Sequence, residues 1–195
     1  MVDRRQLLRI MTLMVGGVAS GSITRALQAA QNSGRVPAKP VFDPGRRVQV
    51  EVISELIIPT TDTPGAIAAG VPDFVEMMVG EWYTDAERDI FLAGLASLDD
   101  WCRQSYAGDF LSSTEAERTA ALLAAEQQAA GYQEVTGINQ VDEGTPFFTK
   151  VKELVVVGYY TSEIGARQEH KYFRMTRNYD GDYPLAKSNG RQWAY

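Results

Sequence analysis

Between Val48 and Tyr159 the apolar residues recur in steps of three and four, and each run is closed by a proline, a glycine or a hydroxyl–carboxylate pair. This punctuated helical period constrains the fold more than any other feature. Val48, Val52, Ile53, Leu56 and Ile57 form the first run, which Pro59 should stop. Thr63 followed by Pro64 predicts an N-cap and first turn, with a short helical segment through Ala69 ending at Gly70. Pro72 opens the next helix, carrying Phe74, Val75, Met77 and Met78, and the methionine pair reads as core filler. Thr84 with Glu87 predicts a capping box ahead of Phe91, Leu95, Leu98 and Cys102, which share one face beside Trp101. Ser112 with Glu115 offers a second box before Leu122, Leu123, Ala125, Ala129 and Ala130, and Gly131 should end that helix.

Residues 132 to 144 read as a loop. Thr145-Pro146 then repeats the cap-plus-proline signal, and Phe147, Val151, Leu154 and Gly158 fall on one stripe, with Phe148, Val155 and Tyr159 adjoining. The run "LVVVGYY" has strand propensity, but its capped start and helix-period flanks predict helix. The expected fold class is all-α: a small bundle of five or six helices with an extended, irregular, aromatic C-terminal tail.

The ends of the chain are of a different kind. Arg4 and Arg5 precede a short apolar run softened by Gly16, Gly17, Ser20 and Gly21. A basic start followed by a short apolar stretch is the layout of an export signal, and the paired arginines mark the twin-arginine variety. Residues 1–30 are therefore expected to be a signal peptide read by the twin-arginine (Tat) translocase. Its cleavage site is not marked by a clean Ala-x-Ala, so an uncleaved anchor stays open. Residues 31–45, with three prolines and two glycines, are expected to be a linker or arm. The bundle is assigned to 46–164 and the tail to 165–195. The tail has six basic and three acidic residues, with Tyr172, Phe173, Tyr179, Tyr183, Trp193 and Tyr195, and no sustained apolar period. Tyr, Trp and Arg dominate interface energetics, so docking on a partner is expected; the alternative is that the tail folds back over its own bundle.

Composition narrows the chemistry. The 195 residues carry a formal charge of −6, and loss of residues 1–30 removes four arginines and one aspartate, leaving −9. An acidic body disfavours nucleic acid and anionic lipid as partners. One cysteine, Cys102, permits no internal disulfide, and one histidine, His170, permits no ordinary His-based zinc site; no metal site is expected. No glycine-rich phosphate loop has the required spacing, and Ser162 has no histidine placed by a local signature. The remaining acid–base candidates are Asp62, Glu163, Glu169 and His170. Glu163 and His170 would share a helix face if the helix ran on through Gly165.

Two strings, "ISELIIPTTDTPGAIAAGVPDFVE" at 53–76 and "FFTKVKELVVVGYYTSEIGARQEHKY" at 147–172, together with the twin-arginine leader, resemble the gluconate 2-dehydrogenase subunit 3 family in order and spacing. The resemblance implies a non-catalytic small subunit that holds no cofactor itself. Its large partner would be similar to glucose–methanol–choline (GMC) oxidoreductases and carry FAD, with an iron–sulfur cluster as a further candidate cofactor of that partner. A c-type cytochrome would take the electrons. The small subunit would be needed for the large one to mature, and its leader would carry the leaderless partner to the periplasm, with membrane association through the complex or the leader. On this reading Thr61, Asp62, Thr63, Pro64 and Gly65 of the "TDTPGA" turn, Tyr159, Tyr160, Ser162 and Glu163 of "YYTSEIG", and Tyr172, Tyr179 and Trp193 are the partner-binding candidates. Internal turn and core chemistry is the alternative role for the two strings. An autonomous periplasmic enzyme acting on oxidised sugars through Glu163, Glu169 and His170, and an unrelated periplasmic scaffold, are the alternative functions.

Overall fold

A computed structural model describes residues 40–132, 144–172, 182, 184–188, 190 and 193–194. The expected leader with Arg4 and Arg5, most of the expected linker, and Tyr179 lie outside the described residues; for Trp193 only the backbone lies within them. The expected all-α class holds. The chain runs α1 (Pro44–Ile57), α2 (Val71–Met77), a π-helical turn (Met78–Trp82), α3 (Asp85–Ser105), α4 (Glu115–Ala129), α5 (Phe147–Thr161) and a second π-turn (Gly165–Glu169). Two-residue strands β1 (Lys171–Tyr172) and β2 (Trp193–Ala194) follow, with a 3₁₀ turn (Leu185–Ser188) between them.

Local chemistry sets most boundaries. α1 starts four residues earlier than its apolar period implied. The Asp43 carboxylate accepts from Arg46 N–H at 2.9 Å and Pro44 occupies the first turn, so the last two residues assigned to the linker are helical. The Thr84–Glu87 capping box forms as expected. The second box does not use Ser112 and Glu115. Asp109 accepts from both the N–H and the hydroxyl of Ser112, at 2.9 and 2.8 Å, and the box falls to Thr114 and Glu117. Thr145 does not cap α5: Pro146 is the N-cap residue and no side chain caps that end. Of the methionine pair only Met78 is core, whereas Met77 is 41% exposed; Leu123 of α4 is likewise exposed. "LVVVGYY" is helical. The tail is not wholly irregular, since β1 and β2 pair in parallel.

Helix α5 is the hub, packing against α1, α2, α3 and α4. Val151, Leu154, Val155 and Tyr159 on it are buried, as are Phe91, Leu95, Leu98 and Cys102 on α3 and Val50 and Ile53 on α1. Aromatic rings knit the layers: Phe91 lies 6.0 Å from Phe42, 6.3 Å from Tyr83 and 5.4 Å from Phe147. Two glycines make these approaches possible. A Cβ on Gly94 would stand 2.0 Å from the Phe147 ring, and one on Gly158 would stand 2.7 Å from the Phe74 ring. α1 is tied down by charge. Arg47 meets Glu51, Asp73 and Glu76 at 3.1, 2.5 and 2.7 Å, and Arg46 meets Asp99 at 2.8 Å.

Among the described residues, one ion pair lies inside the core. Lys150 Nζ on α5 stands 3.3 Å from Glu87 Oε1 on α3, with side-chain exposures of 2% and 0%. The other Glu87 oxygen accepts from the Thr84 N–H and hydroxyl at 2.9 and 3.1 Å, so a single carboxylate both caps α3 and anchors α5. The ammonium also lies 5.0 Å from the Tyr83 ring centre. Burial, then the charges of Glu153 and Glu87, hold the Tyr83 phenol well above its ordinary pKa, so it stays neutral.

Lys150→Met leaves a buried carboxylate without its cation and should cost about 3–5 kcal/mol in denaturant unfolding. Adding Glu87→Gln, which keeps the capping geometry, should restore most of that loss. A double variant as unstable as the single one would show that the pair has no such coupling.

Candidate functional site

The two strings that carry the family resemblance meet in space at the C-terminal end of α5. After Ile57 the chain forms a tight turn over residues 58–70. Ile58 O accepts from Ala66 N–H at 2.9 Å and Thr63 O accepts from Thr61 N–H at 3.0 Å. Thr60 Oγ1 accepts from Gly65 N–H at 3.0 Å. Glu55, in the last turn of α1, staples the turn: it accepts from Thr60 N–H, the Thr60 hydroxyl and Ile67 N–H at 2.9, 2.7 and 3.0 Å. Burial would raise the Glu55 pKa, but these donors outweigh it and hold the carboxyl below its ordinary value. Gly65 sits where a Cβ would lie 2.2 Å from the Glu55 carboxylate and 2.6 Å from Thr60 N. Thr63-Pro64 therefore starts no helix. These residues form a side-chain-stapled turn that ends at Gly70, whose φ of 74° is left-handed.

The second string braces this turn from below. The Tyr159 hydroxyl donates to Pro64 O at 2.8 Å, and Tyr159 is 2% exposed. The Thr63 hydroxyl donates to Glu169 Oε2 at 3.0 Å. Ser162 closes α5: its hydroxyl donates to Tyr159 O at 2.6 Å and accepts from Gly165 N–H at 3.0 Å. Tyr160 packs edge-on to Tyr159 at 5.4 Å and flat against His170 at 4.7 Å. Arg167 pairs with Glu163 at 3.0 Å and lies 5.6 Å from the Tyr172 ring centre.

The partner-binding candidates thus separate. Tyr159, Gly65 and Ser162 are occupied by internal contacts. The turn and the end of α5 that braces it form one platform, on whose flank Thr63, Pro64, Tyr160 and Tyr172 are half-buried, while Thr61, Asp62 and Glu163 are exposed. Ile67, absent from the candidates that the sequence suggests, is 48% exposed on the same turn. Glu55 is absent from them too. Its signal is an acidic residue in the last turn of a helix, where the dipole disfavours it unless nearby N–H donors compensate.

Glu163, Glu169 and His170 do not converge as an acid–base set: Glu163 holds Arg167, Glu169 holds Thr63, and His170 lies on Tyr160. The chain is helical from Glu163 through Gly165 to Glu169, but the last turn is π-helical and His170 is extended (φ −89°, ψ 166°), so the shared helix face does not form. Among the described residues no three His, Cys, Asp or Glu side chains are grouped to hold a metal ion. The described strands are two residues each, so no strand–glycine turn–helix unit suited to a dinucleotide is present among these residues. A separate apolar cleft of about 300 Å³ lies between α3, α4 and the start of α5, lined by Leu98, Trp101, Ala125, Phe147 and Phe148 among others. None of the predicted site residues lines it.

Tyr159→Phe should cost about 1–2 kcal/mol, because Pro64 O loses its donor. Gly65→Ala should cost more, since both backbone and carboxylate block the methyl. Because the Glu55 pKa is lowered on folding, its contribution is present above its ordinary value of 4.5 and is lost as pH falls through the folded value. The stability gap between wild type and Glu55→Gln, followed by urea titration, should therefore hold steady at neutral pH and shrink in acid.

Neither the curated proteins nor the solved structures contain a match to this chain. A family profile does match: the one described as Gluconate 2-dehydrogenase subunit 3 covers residues 46–181, which takes in both strings and the whole platform. The chain belongs to the gluconate 2-dehydrogenase subunit 3 family.

Proposed function

We propose that this chain is the non-catalytic small subunit of a FAD-dependent, GMC-type sugar or polyol dehydrogenase, and that it assembles with, matures and co-exports the catalytic subunit. Family membership supports a place in a multi-subunit dehydrogenase. The observation that carries the reading further is the platform. Two hydrogen bonds join the strings, Thr63 to Glu169 and Tyr159 to Pro64, Glu55 staples the turn from within the first string, and Thr61, Asp62 and Ile67 stay exposed on that turn. A rigid, outward-facing turn loses little entropy on binding, which suits a subunit that docks. Glu163, Glu169 and His170 are each engaged in a structural contact, which disfavours an autonomous enzyme acting through them. Arg4 and Arg5 would send the complex through the twin-arginine route to the periplasm. The flavin, and an iron–sulfur cluster where one is used, would reside in the large subunit, with a c-type cytochrome as the next electron carrier.

The test is purification of the tagged chain from its native periplasm with an absorbance spectrum of the eluate. A stoichiometric large subunit with a flavin spectrum is expected, and a colourless solitary chain would overturn the proposal. Asp62→Arg combined with Ile67→Glu should cut recovery of the flavoprotein by at least about tenfold, as loss of an interface hot spot does. The unfolding free energy of the chain alone should change by no more than about 0.5 kcal/mol.

A further inference from the structure

The chain has one histidine, and the fold places it at the hinge between bundle and tail. His170 ends the second π-turn, its N–H bonded to Gly165 O at 2.9 Å, and β1 begins at the next residue. Its ring lies 4.7 Å from the Tyr160 ring at an interplanar angle of 23°. Neither ring nitrogen has a hydrogen-bond partner among the described residues. Two further contacts fasten the same hinge: the Thr63 hydroxyl on Glu169, and the Arg167 guanidinium over Tyr172.

We propose that the His170–Tyr160 stack is a pH-sensitive clasp that holds the start of the C-terminal segment on the bundle and loosens on acidification. This goes beyond the assembly reading and does not depend on it, because the clasp lies wholly within this chain.

When the imidazole gains a proton, burial and the Glu169 charge act in opposite directions. The half-buried ring loses the solvation a cation needs. The Glu169 charge favours the cation, but that carboxylate is already held by Thr63, so a charged His170 competes for the bond that pins the hinge to the turn. The other charged groups around it are Arg167, paired with Glu163, Lys171 on β1, and Asp62 beside Thr63. Only Glu169 acts appreciably on the imidazole, and its pull toward the charged form is outweighed by burial, which holds His170 below its ordinary 6.5. The Tyr160 phenol is raised by burial and then by Glu169 and Tyr159, so it stays a neutral stacking surface. A histidine whose pKa falls on folding stabilises the folded form above its unfolded value. That contribution is lost as pH drops through 6.5 and then through the folded value.

Because His170 is the only histidine, one imidazole resonance in the tag-free full-length chain reports its titration by NMR. The expected midpoint lies below 6.5, moves up toward it in Tyr160→Leu, and is kept in Tyr160→Phe, which retains the stack. Amide protection factors at His170 and Lys171 should fall severalfold between about pH 7.5 and about pH 5, the interval over which an imidazole changes charge. They should stay level in His170→Gln. A wild-type midpoint at or above 6.5 would overturn the clasp, as would an equal loss of protection in His170→Gln. The His170→Gln comparison decides the matter even if Tyr160→Leu frays the end of α5.

Discussion

Everything in this bundle depends on where α5 sits along its own axis, and the buried Glu87–Lys150 pair fixes that position. Apolar packing against α1, α2, α3 and α4 supplies most of the helix's stability, on the order of 1.5–3 kcal/mol for each fully buried Val or Leu. That attraction is not directional, and a stripe of Val, Leu and Phe tolerates sliding. An ammonium inside the core does not, since it must meet its carboxylate or remain unpaired at a cost of several kcal/mol. The pair adds little to net stability against an apolar alternative. It is satisfied at only one axial position of α5, however, which an apolar pair would not require.

That choice has consequences at the far end of the helix. Tyr159 lies nine residues beyond Lys150, or about 13.5 Å along the axis at about 1.5 Å per residue. A slip of one residue would carry the Tyr159 hydroxyl about 1.5 Å along the axis and turn it about 100° away from Pro64 O. The turn at 58–70 would lose its brace, and Thr63 would lose the alignment that brings it to Glu169. The two glycines act in the same sense from the side. Phe147 can sit on Gly94, and Phe74 on Gly158, only at one axial position. Core charge, ring-on-glycine contacts and the outward turn are therefore one mechanical unit.

How much of this was legible in the sequence depended on the range of each interaction. The Thr84–Glu87 box, the stop at Pro59 and the helical nature of "LVVVGYY" were legible because every partner lies within a few residues. The second capping box was misplaced by two residues because Ser112-x-x-Glu115 and Thr114-x-x-Glu117 overlap, and only the Asp109 side chain, which takes Ser112, distinguishes them. Thr63-Pro64 read as a helix start because its competing partner, Glu169, is 106 residues away. The Tyr159–Pro64 bond spans 95 residues and the Lys150–Glu87 pair spans 63. No local pattern announces either. The family resemblance singled out both strings, yet nothing in their residue order says that they touch.

Their meeting changes what the strings mean. A turn rich in Thr, Asp, Pro and Gly at the surface is ordinarily adaptable, because its backbone polar groups can trade partners with water. Here Glu55 takes three of the turn's donors, Thr60 takes a fourth, and the Tyr159 hydroxyl donates to the Pro64 carbonyl. With these groups satisfied from within the chain, the backbone that carries the outward side chains is braced at several points. In the proposed docking role, burying such a surface would require little further ordering of the backbone. The internal hydrogen bonding of the two strings and their outward display are thus not competing explanations. The first is the physical condition for the second.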